Sequence, residues 1–175
     1  MIASPEREMF RQLCRKFTET EIIPYAHEWE EAGIFPRALY KKAAQVGILG
    51  AGYPEEYGGS GGDRLFSLTA AEELLWGGST GVVVGLQSSG IALPSILLLG
   101  TEAQKQRWIP PILAGDKIAA LGVTEPGAGS DVSGVQTTAV RDGDHYVLNG
   151  AKLFITSGVR ARTPLVIKSL APLRT

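Results

Sequence analysis

The residues best suited to chemistry lie between positions 123 and 131, where the sequence reads VTEPGAGSD. This segment follows a short apolar run at residues 118–123 and combines two glycines, a proline and a serine. Small residues leave backbone N–H groups open, so a phosphate or another anion can approach them closely. The pattern predicts either an anion-binding loop or an ordinary loop between strands, because glycine and proline are common in both.

The spacing of these glycines argues against the two best-known nucleotide-binding motifs. Gly127, Gly129 and Gly134 lack the G-x-G-x-x-G spacing, and the segment after them has the pattern of a strand, where a Rossmann site requires a helix. The sequence contains no Gly-Lys dipeptide, which excludes a P-loop. Any anion site in this loop must therefore be built in another way.

The remaining candidate side chains predict structural roles. His27 and His145 have no other histidine or cysteine at metal-ligand spacing, so we expect surface or packed histidines and no metal site. Cys14 falls on an apolar helix stripe, which favours a small core residue. It is the only cysteine of the sequence, which excludes an internal disulfide. Glu72 and Glu73 are adjacent and predict the polar face of a helix.

The first 116 residues have the hydrophobic period of helices. Ser4 and Pro5 predict the N-cap and first position of the first helix, and Pro24 should kink or split it. Thr101 and Gln104 predict a capping box at the start of the last helix in this part. The helices expected between these points cover residues 36–47, 65–76 and 79–99, the last as one helix or a pair.

After residue 116 the pattern alternates as in strands. Four strands are predicted, at residues 118–123, 136–141, 145–148 and 151–156. Asp142 and Gly143 predict a turn, and Asn149–Gly150 is a strong hairpin signal before the fourth strand. The chain is therefore predicted to be α+β, with an all-α bundle before a β-domain.

The composition of the chain argues against nucleic acid binding and against a membrane span. The 17 Lys and Arg residues against 18 Asp and Glu residues give a net charge of −1, which offers no basic field for nucleic acid. The longest apolar stretch, residues 81–99, is interrupted by polar residues and Pro94, so we expect a buried helix pair and no membrane span. The charged start indicates no secretory signal peptide.

Several segments in order resemble the acyl-CoA dehydrogenase family. They are residues 53–59 (YPEEYGG), 100–110 (GTEAQKQRWIP), 121–131 (LGVTEPGAGSD) and 148–156 (LNGAKLFIT). The resemblance implies an FAD-dependent oxidoreductase of fatty acid β-oxidation that desaturates acyl-CoA thioesters between the α and β carbons. It implies an N-terminal helical domain at residues 1–116 and the beginning of a β-barrel-like middle domain at residues 117–160, before an atypical basic tail at residues 161–175.

The resemblance also implies a set of FAD-binding residues: Leu121, Val123, Thr124, Gly129, Ser130, Phe154, Ile155 and Thr156. The first three would contact the flavin ring, and Gly129 and Ser130 would bind near the pyrophosphate, with Ser130 also facing the substrate's pantetheine. Phe154 stands where the family often has tryptophan, and either ring can stack on the flavin edge. Thr156 would place its hydroxyl near flavin N5.

The family's catalytic base is expected beyond residue 175, and Glu125 is not that base. We therefore expect the chain alone to lack dehydrogenase activity and to be an incomplete fragment of a family member. The alternatives are a non-catalytic fragment that binds flavin or a partner subunit, and a relative of the acyl-CoA oxidases. For the full-length protein the family implies an acyl-CoA substrate, electron-transfer flavoprotein as acceptor and a homo-oligomer. Its expected location is the bacterial cytoplasm, or the mitochondrial matrix in a eukaryote.

Overall fold

The computed structural model describes residues 4–161, so most of the predicted basic tail lies outside the described residues. Within residues 4–161 the chain forms seven α-helices followed by one antiparallel pair of strands. The helices are α1 Pro5–Glu21, α2 Ala26–Ala32, α3 Ala38–Gln45, α4 Arg64–Leu75, α5 Thr80–Leu86, α6 Ser88–Leu99 and α7 Glu102–Leu113. The strands are β1 Thr138–Asp142 and β2 His145–Asn149. The prediction of an α+β chain with its helices first is confirmed.

The predicted helix boundaries are confirmed where a local signal sets them. The Ser4 hydroxyl caps α1 by accepting a hydrogen bond from the Arg7 N–H at 3.2 Å. Pro24, which cannot donate a backbone hydrogen bond, lies in a 3₁₀ turn that separates α1 from α2. At the start of α7, Thr101 and Gln104 each accept a hydrogen bond from the other's backbone N–H.

The apolar stretch between residues 80 and 99 forms the helix pair α5 and α6. By length and composition alone Thr80–Leu99 could cross a membrane, since its mean hydropathy is 1.9, but half of it is buried inside the fold. Pro94 lies within α6. The burial favours a pair of core helices over a membrane-spanning segment.

The helices enclose two apolar clusters, and the chain passes between them on its way to the candidate loop. One cluster is built mainly from α1, α3, α4 and α5, and the other from α6 and α7. After α7, Ile118 and Ala120 lie in the first cluster while Ala119 lies in the second. The alternation that predicts a strand at residues 118–123 is therefore satisfied by burial on both sides. No strand forms there among the described residues, so that prediction is wrong.

The two strands form a hairpin of five residue pairs, from Thr138 opposite Asn149 to Asp142 opposite His145. Gly143 and Asp144 form its two-residue loop, and Gly143 supplies the positive φ of 60° that such a turn requires. The strands predicted at residues 136–141 and 145–148 are thus confirmed with small shifts. The hairpin predicted at Asn149–Gly150 is wrong, as is the strand at residues 151–156, because the chain there leaves the sheet and packs against the helices.

Candidate cofactor site

The candidate loop begins half-buried and becomes exposed at its tip. Leu121 packs beside the α6–α7 cluster, and Val123 and Thr124 are half-buried. The loop then closes on itself, because the Glu125 N–H donates to the Ala128 carbonyl at 2.8 Å and the Ala128 N–H donates back at 3.1 Å. This closed turn carries the small exposed residues that follow the apolar run.

The structure brings the start of this loop against the second candidate segment, residues 152–155. The Leu153 N–H donates to the Thr124 carbonyl at 2.8 Å, and the Lys152 ammonium donates to the Val123 carbonyl at 2.9 Å. A Cβ placed on Gly122 would lie 3.3 Å from Cδ1 of Ile155. Two parts of the chain that are almost 30 residues apart therefore form one surface.

Glu125 is the residue at the centre of this arrangement. Its Oε2 accepts the Gln136 N–H at 2.6 Å, and its Oε1 accepts the Thr137 N–H at 3.0 Å, the Thr137 hydroxyl and the Lys152 ammonium at 2.7 Å. The Glu125 and Lys152 side chains are only 6% and 7% exposed. Glu125 therefore joins three separate segments beneath the candidate loop.

Neither a partner for Glu125 nor a role for Lys152 is predicted from the sequence. A weak signal exists, since each is a charged residue beside an apolar run, but nothing local indicates that they meet. Lys152, then Thr137 and the Gln136 N–H, lower the pKa of Glu125 to about 2. A carboxylate that stays ionised and is fully engaged makes a poor proton acceptor, in agreement with the expectation that Glu125 is not the catalytic base.

The exposed tip of the loop offers unused donors. Within residues 4–161, the backbone N–H groups of Gly127, Gly129 and Ser130 donate to no protein oxygen. A Cβ on either glycine would meet nothing within 4 Å, so the backbone is open to a ligand. Asp131 ends this stretch by accepting the Ser133 N–H at 3.0 Å and its hydroxyl at 2.6 Å, bonds that lower the Asp131 pKa. The loop can thus present several N–H groups and a hydroxyl to an anion.

Phe154 and Thr156 lie on the surface, and Phe154 is 89% exposed. Phe154 has φ 52° and Ser157 has φ 61°, left-handed conformations that exclude a regular strand at this place. Among the described residues we find no hydrogen bond that joins Gly129 or Ser130 to Phe154 or Thr156. The structure therefore joins Val123 and Thr124 to the segment that contains Ile155, and Leu121 packs beside the α6–α7 cluster. Gly129, Ser130, Phe154 and Thr156 are exposed.

The other candidate residues of the sequence analysis have structural positions. His27 and His145 are exposed, and the thiol of Cys14 is completely buried. Its burial confirms the predicted core position. Burial, and to a lesser extent the charge of Glu73, raises the pKa of Cys14 to about 12. Within residues 4–161 no group of three histidine, cysteine or acidic side chains could hold a metal ion.

The assignment of Glu73 to a polar helix face is wrong. Glu73 is 1% exposed and binds both Arg11, at 2.7 Å, and Arg15 on the neighbouring helix α1. Burial raises the pKa of Glu73, but the hydrogen bonds from Arg15 and Arg11 outweigh it and leave the pKa below its usual value. Glu72 does lie at the surface, with one bond of 3.2 Å to Arg11.

Comparison with known proteins places this chain in a family. The family model described as acyl-CoA dehydrogenase, N-terminal domain, matches residues 4–116, and the model of the acyl-CoA dehydrogenase middle domain matches residues 120–172. Among curated proteins, the chain is 45% identical over 157 residues to the mitochondrial long-chain specific acyl-CoA dehydrogenase of Rattus norvegicus. That alignment covers 90% of this chain and 36% of the rat protein.

Solved structures agree with this assignment. The acyl-CoA dehydrogenase of Geobacillus kaustophilus superposes with a TM-score of 0.85 at 41% identity, over 94% of this chain and 43% of that one. A glutaryl-CoA dehydrogenase of Mycobacterium smegmatis, solved in complex with FADH2, gives a TM-score of 0.86 at 32% identity, over 93% and 42%. The chain thus spans about two fifths of the length of these relatives. It belongs to the acyl-CoA dehydrogenase family.

Proposed function

We propose that this chain carries the flavin-binding loop of an FAD-dependent acyl-CoA dehydrogenase. The observation that carries the proposal is the open tip of the loop, where the N–H groups of Gly127, Gly129 and Ser130 have no acceptor in the part of the protein that the structure describes. Such donors suit the phosphate oxygens of FAD, and the absence of side chains on the glycines lets the pyrophosphate approach. The buried negative charge of Glu125 does not oppose this, because Lys152 neutralises it.

In this proposal the candidate residues form three groups, each of which contacts a different part of the cofactor. Leu121, Val123 and Thr124 would contact the ring system, with Gly129 and Ser130 at the pyrophosphate and Ser130 also at the substrate's pantetheine. Phe154, Ile155 and Thr156 would form the neighbouring wall, where the exposed phenyl ring can stack and the Thr156 hydroxyl can donate a hydrogen bond. Bound FAD supplies the acceptor for the hydride that leaves the β-carbon of the acyl chain.

Proton removal from the substrate's α-carbon requires a different group. Glu125 is fully hydrogen-bonded and its pKa is about 2, so it cannot serve as that base. We propose that the base lies beyond residue 175, as the family resemblance implies. The described residues contribute cofactor binding and orientation to the reaction, while the proton is taken elsewhere.

The family assignment supports several further proposals for the complete protein. These are an acyl-CoA thioester as substrate, electron-transfer flavoprotein as electron acceptor, and assembly into a homo-oligomer. We propose domains at residues 1–116 and 117–160, as in the sequence analysis. The relatives include a mitochondrial rat protein and bacterial proteins. We propose a matrix location in a eukaryote, or a cytoplasmic one in a bacterium.

The site can be tested with Thr156→Val in the complete protein that carries this sequence. This change removes one hydroxyl at nearly constant volume, so we expect weaker FAD retention or slower anaerobic bleaching of the flavin by acyl-CoA. Thr138→Val is the matched control, since Thr138 is also exposed but lies on β1. Unchanged retention and bleaching in Thr156→Val would remove Thr156 from the site, and failure of the unsubstituted protein to bind FAD would refute the proposed function.

A further inference from the structure

The buried pair of Lys152 and Glu125 makes hydrogen bonds to several segments of the candidate site, in addition to the bond between the two charged groups. The Lys152 ammonium donates to two acceptors at once, the Val123 carbonyl at 2.9 Å and the Glu125 carboxylate at 2.7 Å. Val123 is a candidate flavin contact, and Lys152 lies two residues before Phe154. The Lys152 side chain therefore fixes the backbone of residues 121–124 against the segment that contains residues 153–156.

Glu125 completes this connection on the opposite side. Its carboxylate receives the backbone N–H groups of Gln136 and Thr137, and its own N–H and carbonyl close the turn to Ala128. The exposed glycines of the loop tip are thus attached to a turn whose root is bound to two other segments. Neither charged group has an accessible surface on which a ligand could act directly.

A buried ion pair is a costly way to add stability, because desolvation consumes much of the attraction between the charges. Hydrophobic residues of similar volume could fill the same space, but they could not bond the Val123 carbonyl and the three remaining donors from Gln136 and Thr137 in fixed directions. Directional bonding matters most where a ligand must meet both segments in one geometry. The directional hydrogen bonds of Lys152 and Glu125, more than the attraction between their charges, therefore indicate a role beyond stabilising the fold.

We infer that Lys152 and Glu125 are positioning residues for the flavin: they set the separation and tilt of residues 121–124 relative to residues 153–156. The inference rests on the proposed function, since it requires FAD to bind between these segments. Neither residue would touch the cofactor or take part in proton transfer. Loss of the Lys152 bonds should therefore weaken FAD binding and alter the environment of the ring without removing any contact to it.

The test compares Lys152→Met, Glu125→Gln and the double variant in the complete protein. Glu125→Gln alone leaves the Lys152 cation buried without a counter-charge, and the double variant removes that penalty. We expect each single variant to bind FAD at least tenfold more weakly. The double variant should recover much of the thermal stability but not the affinity, because the bond to the Val123 carbonyl is still missing. Glu73→Gln, in the buried network between α1 and α4, is the matched control and should leave FAD affinity unchanged.

Two readouts separate positioning from stability. Titration with FAD gives the dissociation constant, and the absorption spectrum of the FAD-saturated protein reports the surroundings of the ring. A double variant that regains full affinity, or a Lys152→Met protein with unchanged affinity and spectrum, would overturn the inference. If the double variant stays unstable, a shifted spectrum at saturating FAD supports positioning and an unchanged one refutes it. Absence of FAD binding in the unsubstituted protein would instead refute the proposed function, and this inference with it.

Discussion

Replacement of Glu73 by glutamine should destabilise the helical part of the chain far more than the same change at its neighbour Glu72. The Glu73 side chain is 2% exposed and binds Arg11 and Arg15 across the α1–α4 interface. The Glu72 side chain is 48% exposed and makes one contact of 3.2 Å to Arg11. The two positions therefore differ in burial while sharing a helix, a charge and a partner.

The loss in free energy of unfolding depends on which groups each substitution leaves without a partner. Breaking a fully buried ion pair costs about 3–5 kcal/mol, and a hydrogen bond to a charged group is worth about 1.5–3 kcal/mol. Arg11 and Arg15 are 31% and 39% exposed, so both guanidinium groups can regain water, and the glutamine oxygen can still accept one bond. We expect Glu73→Gln to lower the free energy of unfolding by about 2–3 kcal/mol, below the fully buried limit. Glu72→Gln should cost less than about 1 kcal/mol.

Urea unfolding followed by far-ultraviolet circular dichroism measures both losses. The pH dependence gives a second check, because Arg15 and Arg11 hold the pKa of Glu73 below its usual value despite burial. A lowered folded-state pKa adds stability above the ordinary glutamate pKa, and that stability is lost as the pH falls through the folded-state value. The difference between the unsubstituted chain and Glu73→Gln should therefore shrink in acid. Equal losses for the two variants, or a difference independent of pH, would refute the reasoning.

Two further predictions concern the helical core. Gly85→Ala would place a Cβ 2.6 Å from Cε1 of Phe35, so it should lower the free energy of unfolding by about 1–3 kcal/mol. Gly90→Ala, in α6, would meet nothing within 4 Å and should raise the free energy of unfolding by about 0.4–1 kcal/mol. Urea midpoints of the two variants that shift in the same direction would contradict this. The Cys14 thiol, with its pKa raised to about 12, should resist a thiol reagent at pH 8 until urea unfolds the chain. Rapid labelling of the folded chain would show that the thiol is accessible.

The features that the sequence predicts correctly are those with local causes. The Ser4 cap, the break at Pro24 and the capping box at Thr101 each depend on residues within four positions of one another, so a single sequence contains the whole signal. The same is true of the hairpin at Gly143, where a two-residue turn and flanking alternation suffice. The bounds of such features are set by short-range interactions.

The errors arise where distant residues decide. Glu73 reads as a surface acid, and only contact with α1, 58 and 62 residues away, makes it a buried one. Glu125 meets Lys152 at a separation of 27 residues. The alternating segment at residues 118–123 has the pattern of a strand, but two helical clusters bury its opposite faces and no strand forms there among the described residues. The local sequence pattern predicts that these residues are buried or charged. Tertiary contacts determine which residues they pack against or bind.

The segment around Phe154 has features that support the proposed cofactor site. Phe154 and Ser157 hold left-handed conformations that cost of order 1–3 kcal/mol each, and such residues persist only where the surroundings fix them. Lys152 anchors one end of the segment at the Val123 carbonyl, and Arg160 anchors the other by donating to the Phe35 carbonyl at 2.6 Å and stacking on its ring at 4.5 Å. An exposed aromatic ring on a strained, doubly anchored backbone is consistent with the proposed cofactor wall. A surface that is fixed before binding loses less entropy when the ligand arrives, which would favour FAD binding at this segment.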